Sequence, residues 1–137
     1  FCPVSFVFYL TSYFSILMTL SIFHTPEALA HSLAAELWGL SVGKKPAHIA
    51  LSGGSTPQLL FDVLTRDYAQ AIRWQNLHFW WGDERCVPPT DPESNFGMTQ
   101  AHLFDHIAIP EANIHRMRGE ADPAAEAERY AAEIEQF

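Results

Sequence analysis

Ala47-His48-Ile49-Ala50-Leu51-Ser52-Gly53-Gly54-Ser55-Thr56-Pro57 is the stretch on which the fold turns. A short apolar run of strand length ends in a turn with two glycines. Leu59, Leu60, Val63 and Leu64 then recur at helical spacing. Gly53 and Gly54 let the backbone turn sharply and let a ligand come close to it. Ser55 or Thr56 is placed to cap the helix, and Pro57 falls in a first turn, where a missing N–H is tolerated. Free N–H groups at the positive end of a helix dipole make an anion site. The Gly-Lys-Ser/Thr ending of a Walker loop is missing, and the glycine spacing is not that of a dinucleotide fingerprint. Taken alone, the loop reads equally as a tight strand-to-helix turn that binds nothing.

The same alternation extends in both directions. Upstream, Thr19 to Phe23 suits a short strand, and Thr25-Pro26-Glu27 is a helix start with a capping Thr, a first-turn Pro and an acid. Leu29, Leu33, Leu37 and Leu40 give that helix an apolar stripe ending near Gly43. Downstream, Leu77 to Trp81 is a strand, Pro88 to Glu93 a loop, and Asn95 opens a helix running to Leu103 and Phe104. Ile114 to Met117 suits another strand. Asp122-Pro123 caps a last helix with an apolar face of Ala127, Tyr130, Ile134 and Phe137. Strands alternating with helices predict an α/β fold, a parallel sheet with helices on both faces. The last helix reaches Phe137 without a stop signal, so the fold is expected to be truncated on its C-terminal side.

Composition narrows the function. The 137 residues carry a formal charge of −8 with only eight Lys and Arg, which excludes a nucleic-acid partner that needs a basic surface. Cys2 and Cys86 form neither a disulfide framework nor a zinc spacing, consistent with a reduced, cytoplasmic setting. Phe1 to Phe23 holds no charged side chain. It lacks a basic leading segment and carries Ser, Thr, Tyr and Pro3, so Phe1 to Leu17 is expected to be a non-native or read-through extension, with a membrane anchor as the competing reading. Met18 to Phe137 is then the N-terminal part of one domain, and no membrane partner is expected. The sequence sets no oligomeric state.

Two further segments carry chemistry. Trp80-Trp81-Gly82-Asp83-Glu84-Arg85 ends a strand, and ligands of open parallel sheets bind at the carboxyl ends of strands. Arg85 offers a planar fork for phosphate or carboxylate. Asp83 and Glu84 could orient Arg85, position a histidine from elsewhere, or simply close the turn with an ion pair. Asp91-Pro92-Glu93-Ser94-Asn95-Phe96-Gly97-Met98 follows, where Asn95 can cap the helix or hydrogen-bond a sugar hydroxyl. His102 and His106 share a helix face but lack a third ligand at a metal-site spacing. His48 and His78 read as core or edge residues of strands, and Cys86 as a packed thiol.

Ser52 to Pro57, Trp81 to Arg85 and Asp91 to Gly97, in this order, closely resemble the three corresponding segments of the 6-phosphogluconolactonases. The resemblance extends from about Leu20 to Phe137. It implies a Rossmann-like fold shared with glucosamine-6-phosphate deaminases and ribose-5-phosphate isomerases. It also implies hydrolysis of 6-phosphogluconolactone to 6-phosphogluconate without a metal or organic cofactor. On that pattern Gly53, Gly54, Ser55, Thr56 and Asn95 line the substrate site, Arg85 contacts an anion, and Asp83 supports the reacting groups. The family's general base, a histidine in a Gly-x-Asp-Gly-His-x-Ala segment, has no counterpart among these 137 residues. A glucosamine-6-phosphate deaminase is the nearest alternative, disfavoured because Arg85 stands where those enzymes typically have Tyr. A non-catalytic sugar-phosphate-binding module is the other.

Overall fold

The computed structural model describes residues 5–7 and 19–137; the rest of the apolar start, and hence its reading as an extension or an anchor, lies outside the described residues. Strand β1 (Ser5–Val7) pairs antiparallel with β2 (Thr19–Ser21), Ser5 opposite Ser21, in a two-stranded ribbon of its own. The strand expected over Thr19 to Phe23 is therefore shorter and stands apart from the parallel sheet.

Helix α1 (Pro26–Ser41) starts as its residues dictate: the Thr25 hydroxyl accepts a 3.1 Å bond from the Ala28 N–H, with Pro26 in the first turn. Its buried residues are Leu29, Ala30, Ala34, Leu37 and Ser41, so Leu29 and Leu37 of the expected stripe are buried, Leu33 lies at the margin and Leu40 is about half exposed. Two leucines of the expected stripe thus lie in the buried face, which Ala30, Ala34 and Ser41 complete. Strand β3 (Ala47–Leu51), helix α2 (Ser55–Val63), strand β4 (Leu77–Trp81) and helix α3 (Asn95–His102) follow where expected.

Strand β5 holds only Ile114–His115, and α4 spans Pro123–Ile134 with Asp122 accepting from the Ala125 N–H at 3.0 Å. The sheet order is β3-β4-β5, all parallel, with His48 opposite His78 and Trp80 opposite His115. The early end of β5, expected to reach Met117, has a local cause. The Tyr130 hydroxyl accepts from the Trp81 N–H at 2.8 Å and lies 3.2 Å from the carbonyls of both Trp81 and His115, so it takes up groups that further pairing would use.

Period-2 alternation in β4 divides the interior. Leu77, Phe79 and Trp81 are buried against a core that includes Phe61, Val63, Leu64, Leu103 and Phe104, with α1, α2 and α3 over them. His78 and Trp80 face the other way, toward α4. Of the apolar face expected on α4 only Tyr130 is buried; Ala127, Ile134 and Phe137 are exposed. No described helix is long and apolar enough to cross a membrane.

Candidate functional site

The three segments singled out from sequence meet at the carboxyl ends of β3 and β4. The parallel ladder continues one step past the strands, with the Gly82 N–H donating to the Leu51 carbonyl at 2.9 Å, and this sets the Ser52–Gly54 turn beside the 82–85 turn. Helix α3 then brings Asn95 between them. The Asn95 carboxamide donates to the Asp83 carboxylate and to the Asp83 carbonyl, each at 3.1 Å. Its oxygen rests on Gly53 so closely that a Cβ there would overlap it. Gly53 is therefore required by close approach, and Gly54 by conformation, since its φ of 107° lies where side chains are disfavoured.

Two capping expectations are corrected. Neither Ser55 nor Thr56 caps α2: the cap position is Gly54, no side chain caps the helix, and both residues are exposed in its first turn. The cap falls on glycine because the turn demands positive φ there. The first N–H groups of α2 thus lack a side-chain acceptor, which is what an anion site at a helix start requires. At α3 the cap is Ser94, whose hydroxyl accepts from the Gly97 N–H at 3.0 Å. Asn95 is the first helical residue, 5% exposed, and turned toward Gly53 and Asp83.

Glu84 is the residue that sequence reasoning assigned least well. Its carboxylate does not orient the Arg85 guanidinium. It accepts the backbone N–H groups of Arg85, Asn95 and Phe96 at 2.7, 2.8 and 2.8 Å and the Ser94 hydroxyl at 3.2 Å. The only available signal was an acid ten residues before a helix cap, and nothing local marks such a pairing.

Arg85 is exposed and lines a cavity of about 380 Å³ with Cys86, Met117, Arg118 and, from α4, Tyr130 and Ile134. No residue of the glycine loop lines that cavity. Among the described residues Arg85 and Arg118 have no ion-pair partner, whereas the other arginines beside this end of the sheet are committed. Arg116 grips Glu120 through both its terminal nitrogens, which holds the Glu120 carboxyl at about 2, and its guanidinium lies 5.3 Å from the Phe96 ring centre. Arg129 is divided between Glu126 and Glu133. Cys86, expected as a packed thiol, is exposed, because the loop after the turn carries it to the surface. His102 bonds Asp62 at 2.9 Å and His106 bonds the Ala101 carbonyl, so the two rings turn to separate partners.

The glucosamine-6-phosphate isomerases/6-phosphogluconolactonase family model matches residues 24–137. The chain belongs to this family. It is 54% identical over 113 residues to a 6-phosphogluconolactonase of Aggregatibacter actinomycetemcomitans, covering 82% of this chain and 49% of that one. The crystal structure of the devB protein superposes with a TM-score of 0.80 at 54% identity, over 82% of this chain and 48% of its own. A monomeric glucosamine-6-phosphate deaminase superposes at 0.74 with 25% identity, over 83% and 48%. These neighbours confirm the α/β fold read from the sequence. The chain spans about half the length of the curated relatives it matches.

Proposed function

We propose that this chain supplies the anion-binding half of a site that hydrolyses 6-phosphogluconolactone to 6-phosphogluconate in the cytoplasm, with Met18 to Phe137 forming the N-terminal part of the catalytic domain. The observation that carries the reading is the convergence of Gly53, Asp83 and Asn95 on one point, beside a helix start without a side-chain cap. In the reaction, water adds to the lactone carbonyl, a base takes its proton, and the ring C–O bond breaks to release the open-chain acid. Developing negative charge is stabilised by donors fixed in advance. The backbone N–H groups of Gly54, Ser55 and Thr56 serve as such donors, and Asp83, held by Asn95, faces the reacting groups. Arg85 attracts the anionic end of the substrate from the cavity side. No residue described here fills the place of the general base.

Two measurements test this. The 137 residues alone should hydrolyse 6-phosphogluconolactone no faster than it hydrolyses spontaneously, followed by proton release at fixed pH. They should still bind 6-phosphogluconate, with the amide signals of Gly53 to Thr56 responding in a titration. Turnover well above background would show that a base is present after all. No response at the loop would remove the substrate assignment. The deaminase alternative shares this loop geometry, and failure of glucosamine 6-phosphate to compete for binding would set it aside.

A further inference from the structure

We infer that Glu84 is a positioning residue: without touching substrate, it fixes the glycine loop through Asn95. The Glu84 carboxylate has about four acceptor positions, and four donors occupy them. Its acceptor positions are saturated, so it has no hydrogen bond left to offer a ligand. Ser94 caps α3 only through the Gly97 N–H, which leaves the Asn95 and Phe96 N–H groups at the helix start to Glu84. What Glu84 adds is a connection across sequence. It takes the first two N–H groups of α3 and the N–H of its own turn, so the turn after β4 and the start of α3 share one anchor.

Asn95 is the first helical residue beyond that anchor, and its side chain has no freedom left. One end donates twice to Asp83, and the other fills the space where Gly53 has no Cβ. The line of force therefore runs from Glu84 to the α3 start, to Asn95, and to Gly53 and Asp83. The loop amides proposed to stabilise the developing negative charge are aligned by a carboxylate on another segment. The Glu84 carboxylate keeps its negative charge, offset in part by four N–H and O–H donors and the helix N-terminus they belong to.

Glu84→Gln tests this in 15N-labelled protein. A carboxamide keeps the size, but its NH₂ would face N–H donors, so about half the bonds are lost. The expected result without ligand is a shift in the Gly53 and Gly54 amide signals and in the Asn95 side-chain NH₂ signals. Affinity for 6-phosphogluconate should fall roughly tenfold or more, the equivalent of one charge-assisted hydrogen bond. Ser94→Ala is the comparison: it removes the cap and the weakest of the four bonds to Glu84 but leaves the three backbone N–H bonds, so it should lower Tm without moving Gly53. If Glu84→Gln instead lowers Tm and shifts only Ser94 to Gly97, Glu84 merely caps a helix and the inference is overturned. Should the Gln variant fail to fold, Glu84→Asp, shorter by one methylene, is read in the same way. The ligand arm rests on the sugar-phosphate reading above. If wild-type protein ignores 6-phosphogluconate, that reading fails, while the ligand-free shifts still decide the role of Glu84.

Discussion

The two faces of the β3-β4-β5 sheet are built from alternate residues of the same strands, yet they work by different chemistry. On one face Leu77, Phe79 and Trp81 are sealed under three helices, with Phe79 ringed by Trp74 and Phe104. On the other, His48, His78 and His115 lie side by side with Trp80 stacked flat on His115, ring centres 3.9 Å apart. Among the described residues, α4 and the exposed Phe137 ring lie against that second layer. The first face is apolar and indifferent to pH. The second is held by hydrogen bonds among groups that titrate, from Glu133 through His115 to His78, at 2.7 and 3.0 Å. Strand β4 is thus a partition between a dry core and a proton-sensitive layer.

The contrast breaks most visibly at Phe79. Truncating a side chain that is 0% exposed removes its burial and leaves a cavity, a loss of about 3–5 kcal/mol. Phe79→Ala should therefore bring the urea midpoint close to zero, followed by tryptophan fluorescence, and the loss should be the same at neutral and at mildly acid pH. A small loss would mean that the helical face is loosely packed and that the division between the faces is wrong.

How much of this division could be read in advance differs from element to element. The strands Ala47–Leu51 and Leu77–Trp81 were legible because their apolar runs are bounded by Pro, Gly and polar turns. The caps at Thr25 and Asp122 were legible because each depends only on residues within three positions. The site was legible as three motifs, but its internal wiring was not. Glu84 reaches Asn95 across eleven positions, and the Gly53–Asn95 contact spans forty-two, so neither leaves a local pattern. Tyr130 is the same case on the other face: periodicity gave its helical phase, but not that its hydroxyl ends the β4–β5 ladder.

Tyr130 joins the faces, which makes it the next point at which to sharpen the comparison. Its hydroxyl is the acceptor for the buried Trp81 N–H, and the surrounding burial raises its own pKa. Tyr130→Phe keeps the ring and strands that N–H, at a cost of about 1–3 kcal/mol. The loss should appear in denaturation and as faster hydrogen exchange at Trp81. An exchange rate unchanged from wild type would show that water or a relaxed strand takes over the bond, and that the hydroxyl does not set the end of β5.

The smallest effect, and the one specific to the second face, concerns pH. Burial depresses the pKa of His78, and the neighbouring His48 and His115 depress it further. His48 accepts the Trp80 indole N–H on Nδ1 at 3.0 Å, so a proton there would break that bond. Facing the cluster from α4, Glu133 is pushed up by burial but is held below its ordinary value by bonds from His115 and Arg129. Both shifts have the same sign. The unfolded chain binds protons more readily than the native state, so stability is complete above the ordinary histidine value of 6.5 and declines as pH falls below it. Glu133 adds a further loss as pH falls from its ordinary 4.5 through its lower folded value. His78→Gln removes the upper part of this dependence, since glutamine does not titrate. Urea midpoints measured between about pH 8 and about pH 5 should therefore be flatter in the variant, by less than the loss from Tyr130→Phe. An undiminished slope would show that His78 does not carry the pH dependence of this face.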